Sequence, residues 1–290
     1  MSRLYRLFLP LLFLFACQKN DEGILLTFKY QPGQQYRYLM TDEVEKEVAV
    51  AGEDTVTIGR SAQQSMLIRV VDQDSSTGYY TIEVEMTVVA DSIYYPENYP
   101  QHKRKKNALG KRSVYTLVMD EAGELHDVRG ENERRRIYYE ENYKHNRPVF
   151  PRKKISPGYE WKKNVFIDIG EDEPLCAKTT YRFEGFETVQ NIRSAVISFS
   201  SVLEYDWDLT STPYNTHGYK SWKYQNKSTS EGTIYFSPEL GIMVHKKNLL
   251  TFSSFSDILD KDGKRMQKAS QTVDIETTRL LLEPDALSEQ

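Results

Sequence analysis

Two cysteines and five histidines carry most of the side-chain chemistry that can be sought by spacing in this 290-residue sequence. Cys17 directly follows a short apolar segment near the start of the chain, whereas Cys176 stands alone in the second half. A thiol without a neighbouring histidine has no local group to activate it. We therefore predict a small buried residue at Cys176.

The histidines do not form a local metal site. No two of them have HxH, HxxxH or HExxH spacing, and the sequence contains no CxxC pair, no GxSxG motif and no glycine-rich phosphate loop. The stretch 72–78 approaches a calcium loop, but its glycine comes one position late, so we predict a polar turn there. We expect a non-catalytic protein without a metal or cofactor. The histidines are His102, His126, His145, His217 and His245.

The first 16 residues have the organisation of an export signal. Arg3 and Arg6 form a basic start, an apolar core runs from Leu7 to Phe15, and small Ala16 precedes Cys17. A transmembrane helix is the competing interpretation, but the apolar segment is roughly half the ~20 residues that a span requires. We predict a signal peptide at 1–16.

The segment Leu14-Phe15-Ala16-Cys17 resembles the lipobox of bacterial lipoproteins. The resemblance implies cleavage before Cys17 and acylation of that residue, which would anchor the protein to a membrane through several fatty acyl chains such as palmitate. The following residues, 18–22, are similar to the lysine-plus-acidic export tag of Bacteroidota surface lipoproteins. This implies an outer membrane location, facing the periplasm or the outside. The alternative is an ordinary secretory leader with a coincidental cysteine.

Composition and charge indicate that the remaining chain is a folded body. Hydrophobic residues make up 39% and charged residues 28%, which is typical of a globular domain. The formal net charge of -4 argues against a nucleic-acid partner, which usually requires a basic surface. With Cys17 acylated, Cys176 has no partner for an intramolecular disulfide, so stability must come from the core.

Alternating and β-branched segments predict a mainly β fold. Turns are predicted at 120–123 and 260–263 from their Asp and Gly residues. The best helix candidate is 132–145, followed by Pro148. The predicted strands are 24–30, 35–48, 57–71, 79–90, 113–119, 124–129, 159–169, 177–183, 194–205, 233–236, 242–247 and 271–282.

The strands form two series that resemble each other. The Pro-Gly corner at 31–36 matches that at 156–161, and 115–125 matches 233–243 in the same order. We predict two related curved antiparallel sheets, half-barrel-like repeats joined by a short linking helix. The alternative is chance convergence of strand–turn–strand patterns. The predicted division is 1–16 signal peptide, 17–23 lipidated tether, 24–130 first β half, 131–150 helical linker, 151–285 second β half and 286–290 tail.

This layout resembles the two-repeat β-rich lipoproteins of Bacteroidota, whose second half opens with a proline stretch like 148–161. It is more distantly similar in architecture to half-barrel lipoproteins of the LolA, LolB and LppX type. Those proteins carry lipids on a concave sheet, but a shared architecture does not establish a shared function.

Two groups of residues are candidates for ligand or lipid contact. The basic run Lys103, Arg104, Lys105 and Lys106 could bind anionic head groups or an acidic partner. The aromatic residues Trp207, Tyr219 and Trp222 suit contact with a glycan or peptide. The alternatives are a solvated loop for the first group and core-facing strand aromatics for the second.

These observations favour a lipid-anchored outer membrane protein that acts as a binding or scaffold module for an envelope protein, a glycan or a lipid. Two alternatives stay open. The first is a carrier or chaperone for lipid or another apolar envelope ligand, which would require an apolar cavity of several hundred Å³. The second is a hydrolase of envelope material or polysaccharide, which would require titratable groups to converge in a cleft.

Overall fold

A computed structural model describes residues 23–50, 54–97, 99–130, 136, 140, 143–144, 147–167, 175–211 and 218–282. The predicted signal peptide, Cys17 and most of the predicted tether therefore lie outside the described residues, as do His145, His217 and the tail.

Within these ranges, eleven strands form one sheet in which every neighbouring pair is antiparallel. A 3-10 helix, Gln101–Lys103, lies between the third and fourth strands. The strands are β1 Gln35–Val50, β2 Val56–Gln73, β3 Tyr80–Tyr94, β4 Arg112–Met119, β5 Leu125–Arg129, β6 Glu160–Ile167, β7 Leu175–Val189, β8 Ile192–Asp208, β9 Ser221–Ser237, β10 Ile242–Leu259 and β11 Arg265–Leu281.

The strand order is β5-β4-β3-β2-β1-β11-β10-β9-β8-β7-β6. The prediction of a mainly antiparallel β fold is confirmed, but the prediction of two separate sheets is corrected. The last strand, β11, pairs with β1 from Tyr38 to Val50, so both halves share one continuous sheet. This pairing removes the free edge that each half would otherwise expose. The strands β5 and β6 remain at the two edges, and the sheet is not closed into a barrel.

The sheet curves around one core. Residues from β2 to β4 and residues from β7 to β9 belong to the same buried cluster, so both wings of the sheet face the same interior. We call the face that carries this core the inner face and the opposite one the outer face. Core residues from the two wings include Met66, Ile82, Leu117, Phe183, Ile197 and Ile234.

The predicted strand at 24–30 is wrong. Its backbone follows the inner side of the sheet and bonds to two hairpin turns. The Phe28 N–H donates to the Glu121 carbonyl at 2.7 Å, and the Lys29 N–H donates to the Gly241 carbonyl at 3.2 Å. Alternate side chains are buried in the core. This segment therefore shows the period-two pattern of a strand, although it is not paired along its length with another strand.

The two halves repeat the same backbone irregularities. Gly33 and Gly158 both have positive φ angles, 86° and 89°. The Gly33 N–H donates to the Val70 carbonyl at 2.8 Å, and the Gly158 N–H donates to the Phe183 carbonyl at 2.6 Å. Immediately after Val70 and Phe183, the pairings of β2 with β3 and of β7 with β8 shift register by a bulge. These matches support the predicted relationship between the halves.

The later strands are longer than predicted. The segments 233–236 and 242–247 form parts of β9 and β10, which extend over Ser221–Ser237 and Ile242–Leu259. The portions of β9 and β10 that extend beyond the predicted segments are rich in Ser, Thr and Asn, which weakens the strand pattern. The predicted turn at 260–263 joins β10 to β11. Residues 74–78 of the polar stretch lie in the turn between β2 and β3, whereas 72 and 73 still belong to β2.

The predicted linking helix is present at Arg136, Glu140, Tyr143 and Lys144, the described positions between 131 and 146. Glu140 pairs with Arg136 at 2.8 Å and with Lys144, both at a spacing of four residues. Tyr143 is buried in the core, so the helix packs on the inner side. No helix in the described part of the chain is both long and apolar enough to cross a membrane.

Candidate functional site

The inner face continues beyond the core as two half-buried rows of side chains. Directly opposed residues in antiparallel strands share a face, so the register fixes each row. Val44 on β1 lies opposite Ile275 on β11, which lies opposite Leu250 on β10; Lys46, Val273 and Phe252 form the next row. We call these six residues the open inner face. They are neither buried nor fully exposed, so apolar surface stays in contact with solvent.

The outer face at the same level is acidic and exposed. Glu43, Glu45, Asp274 and Glu276 alternate with the residues of the open inner face along β1 and β11. One apolar outer residue, Leu249, is 42% exposed beside these acids. The sheet is therefore amphipathic beyond its core. An unfilled apolar surface on the inner side of a curved sheet is the usual mark of a ligand or partner site.

Buried cations separate the core from the open inner face. Lys246 and Arg279 lie directly opposite each other on β10 and β11 and are 5% and 8% exposed. Burial, reinforced by the neighbouring positive charges, lowers the pKa of Lys246 to about 7 and that of Arg279 to about 10. The Arg279 Nε atom has no hydrogen-bond partner among the described residues. Placing two like charges out of water in this way is unfavourable.

Two further cations come from the linker and from β6. Arg147 is buried and donates from Nη1 to the Tyr30 hydroxyl at 3.4 Å. Lys163 donates from Nζ to the backbone carbonyls of Lys144 at 2.6 Å and Arg147 at 3.0 Å. Burial lowers the pKa of Lys163 to about 8. Lys163 therefore fastens the linker to an edge of the sheet, and the interior at this level is strongly positive.

The predicted basic run lies in the connection from β3 to β4, residues 95–111, which we call the basic loop. Its fold is organised by Tyr95. The Tyr95 hydroxyl accepts from the Lys105 N–H at 2.7 Å, its ring stacks on Tyr99 at 5.0 Å between centroids, and the Arg104 guanidinium lies 5.6 Å from the ring centre. Lys103 contributes its backbone to the 3-10 helix. The basic run is thus part of a structured loop.

An ion pair with a buried carboxylate fastens the basic loop to the sheet. The Asp91 side chain on β3 is 0% exposed and pairs with Arg60 on β2 at 2.7 Å. Its other oxygen accepts from the backbone N–H of Ala108 in the loop. Hydrogen bonding from Arg60 and then from Ala108 lowers the pKa of Asp91. The loop is therefore held over the inner side of β1 to β3.

The basic loop encloses a cavity of about 360 Å³ against the sheet. Val44 and Lys46 belong both to this cavity and to the open inner face, so the two regions are continuous. The pKa of Lys46 is lowered by burial and by the charge of Lys105. The apolar floor is formed by Val44, Ile58 and Ile93, and the rim includes Lys46, Lys105 and Lys106.

The predicted aromatic residues lie at the far end of β8 and β9. Trp207 lies on the inner face opposite Tyr224, with its ring 4.4 Å from that of Tyr205. Trp222 is also on the inner face, and Tyr219 meets it edge-on at 5.8 Å. The rings are half-buried, so they extend the inner face. The structure does not bring them to the basic loop cavity.

One polar residue within this aromatic region was not predicted. Asn226 on β9 lies opposite Tyr205 and is 3% exposed. Neither polar atom of its side chain has a hydrogen-bond partner among the described residues. Sequence reasoning missed Asn226 because it lies in a polar stretch that was not recognised as a strand.

A second cavity, of about 480 Å³, lies between the edge strands β5 and β6. Leu125, Val149, Trp161 and Lys163 are among its lining residues. It was not predicted because its walls come from both halves and from the linker. The proline stretch 148–161 was the available sequence signal.

The residues considered for chemistry stay apart. In the described ranges, no group of three His, Cys, Asp or Glu side chains could hold a metal ion. Cys176 on β7 is partly exposed, which corrects the prediction of a buried residue. His126 stacks on Tyr79, and His245 stacks on Tyr235.

Comparisons with known proteins do not identify a family. No protein-family model and no curated protein matches the chain. Lipovitellin, solved in a study of lipid–protein interactions, is similar with a TM-score of 0.41 and 10% identity over 88% of this chain and 25% of that chain. This chain thus spans about a quarter of the lipovitellin chain.

Two outer membrane proteins are similar at a lower level. An outer membrane channel from Pseudomonas putida F1 gives a TM-score of 0.20 and 6% identity over 88% of this chain and 97% of that chain. OpdQ from Pseudomonas aeruginosa gives 0.20 and 9% over 86% and 99%. Scores this low carry no inference about the present chain.

Proposed function

We propose that this chain is a lipid-anchored envelope protein whose body is a non-catalytic binding module. Its open inner face receives the apolar part of the ligand. The observation that supports this is the half-buried pair of rows from Val44 to Leu250 and from Lys46 to Phe252, apolar except for Lys46.

The gain from filling the open inner face is large enough for specific binding. Removing apolar surface from water contributes about 25 cal/mol per Å², so covering ~300 Å² supplies on the order of 7 kcal/mol before the losses of association. The curved sheet provides the surface without a large rearrangement, which limits those losses.

The anchor is the second part of the proposal. Cys17, acylated after cleavage, would hold the body on the outer membrane through the short tether 17–23. The tether reaches the body at Ile24, which pairs with Ile155 by backbone hydrogen bonds of 2.8 Å in both directions. The described chain therefore begins beside the segment that precedes β6.

The binding face is tested by two neighbouring leucines that point to opposite sides of β10. Leu250 belongs to the open inner face, whereas Leu249 is on the outer face. The protein is the mature chain from residue 17 with Cys17→Ser, which retains every described residue, and the probe is N-phenyl-1-naphthylamine, whose fluorescence rises in apolar sites. We expect Leu250→Asn to weaken binding about tenfold and Leu249→Asn to leave it unchanged.

Equal effects of the two substitutions, or no binding by the parent chain, would contradict the proposed face. Denaturant unfolding of both variants checks that each remains folded. Mass spectrometry of lipids extracted from the natural protein gives a further result. One lipid class in stoichiometric amount would favour the carrier role over a binding or scaffold role.

The anchor is tested by metabolic labelling with radioactive palmitate. We expect label on the natural chain and none on Cys17→Ser, since that sulfur is the proposed attachment point. Cys176→Ser serves as the matched control and should be labelled normally. Label that persists on Cys17→Ser would refute the anchor.

A further inference from the structure

The basic loop brings a positively charged cavity to the border of an apolar face. Lys46, Lys105, Lys106 and Lys111 line the cavity, and Val44 joins it to the open inner face. We propose that this cavity binds the anionic head group of an amphiphile whose apolar chain lies along the open inner face. The inference rests on the proposed function and adds the ligand's charge and orientation.

The acidic lining residue of the cavity, Asp91, does not neutralise these lysines. Its carboxylate is already occupied by Arg60 and by the Ala108 N–H. The four lysines therefore give the cavity a net positive charge. A phosphate or carboxylate group would supply the missing counter-charge in a partly dehydrated site, where ionic hydrogen bonds are strongest.

The loop is arranged to present these charges. The Asp91 ion pair and the Tyr95 hydroxyl hold its backbone against the sheet, so its lysines do not extend from a free hairpin. Lys46 approaches the same space from β1, and the depressed pKa of Lys46 reflects repulsion by Lys105 as well as burial. Binding an anion would relieve this repulsion.

The shape of the site suits an amphiphile better than a free anion. The cavity of about 360 Å³ has an apolar floor of Val44, Ile58 and Ile93. From Val44, apolar side chains continue across the sheet to Ile275 and Leu250. A small hydrophilic anion would leave this surface wet, whereas an acyl chain attached to the head group would cover it.

The experiment compares two amphiphiles that share a dodecyl chain but differ in head group, together with inorganic phosphate, which lacks the dodecyl chain. Dodecyl phosphate, dodecylphosphocholine and inorganic phosphate are titrated into the mature Cys17→Ser chain by calorimetry, below the concentrations at which the amphiphiles form micelles. The variant is Lys105→Gln/Lys106→Gln. The matched control is Lys178→Gln/Lys264→Gln, which removes the same charge from two exposed lysines outside the cavity.

We expect the parent and control chains to bind dodecyl phosphate about tenfold or more tightly than dodecylphosphocholine, with the preference weakening at high salt. The Lys105→Gln/Lys106→Gln variant should lose that preference and still bind N-phenyl-1-naphthylamine. Inorganic phosphate should bind far more weakly than dodecyl phosphate.

An unchanged preference in the loop variant would overturn this inference. Equal affinity for inorganic and dodecyl phosphate would also overturn it, because the dodecyl group would then contribute nothing to binding. In both cases, binding of N-phenyl-1-naphthylamine that depends on Leu250 would leave the proposed function intact. Loss of all apolar binding from the parent chain would reject both proposals.

Discussion

Lys246 shows how one side chain can link stability to pH. It is buried opposite Arg279, with Arg147 and Lys163 as further positive neighbours that lower its pKa. The folded protein loses this proton near pH 7, whereas an unfolded lysine keeps it until about pH 10. Over that interval the unfolded state binds more protons, so stability rises with pH. Lys163 contributes in the same direction because burial also lowers its pKa.

We therefore expect the free energy of unfolding to increase between about pH 7 and pH 10. Lys246→Met should flatten this increase and stabilise the protein at pH 7 by on the order of 1–4 kcal/mol, because it removes a charge from a dry site. Lys247→Met, on the exposed neighbour, is the control and should keep the slope. Urea denaturation across this range provides the measurement. A slope as steep in Lys246→Met as in the parent protein would contradict the assignment.

Asp91 is the residue on which the position of the basic loop depends. Asp91→Asn keeps the size of the side chain but removes the charge that binds Arg60. We expect a loss of about 1–2 kcal/mol, because Arg60 is partly exposed, and faster hydrogen exchange at the Ala108 amide. Asp127→Asn breaks an exposed ion pair with Arg129 and should change neither quantity. If the Ala108 amide exchanged as slowly in Asp91→Asn as in the parent protein, the loop would be held by other contacts.

At the scale of elements, the N-terminal segment is the part whose contacts were least apparent from sequence. It packs against the turn between β9 and β10 so closely that a Cβ at Gly241 would overlap the backbone nitrogen and the side chain of Lys29. Gly241 also has a positive φ of 67°. Both features require glycine, but only the first depends on the docked segment.

Two alanine substitutions separate these features. Gly33 has a φ of 86°, and no heavy atom lies within 4 Å of the position that a Cβ would occupy, so Gly33→Ala should lose about 1–2 kcal/mol through backbone strain alone. Gly241→Ala should lose about 2 kcal/mol more, because Lys29 must also move. Denaturant unfolding compares the two. Equal losses would indicate that the segment is not docked on this turn in solution.

The success of sequence reasoning differed between elements for physical reasons. Strands with alternating apolar residues, such as β3, were predicted closely because one of their faces is buried in the core. The portions of β9 and β10 that extend beyond the predicted segments were missed because backbone hydrogen bonds between the strands, rather than apolar side chains, hold them. The segment 24–30 was misassigned because the burial of every second side chain does not require a neighbouring strand.

For the whole molecule, the two matching corners were accessible from sequence but the assembly of the strands into one sheet was not. Local motifs such as Pro32-Gly33 and Pro157-Gly158 recur because each half builds the same corner. Nothing local indicates that β11 joins β1, since this pairing links opposite ends of the chain.

The candidate site was likewise predicted only in part. Lys105 and Lys106 were singled out by charge, but their partner Lys46 is distant in sequence and its role depends on the fold. Trp207 and Trp222 were singled out by residue type, and the structure places them on the inner face.

The meeting of β1 and β11 at the middle of the sheet also governs how the protein can be made. Among the described strands, the one that completes the centre is synthesised after the other ten, so neither half gains its neighbour until β11 has been made. A product ending before Arg265 would leave the facing borders of β1 and β10 unpaired, which makes it prone to aggregation.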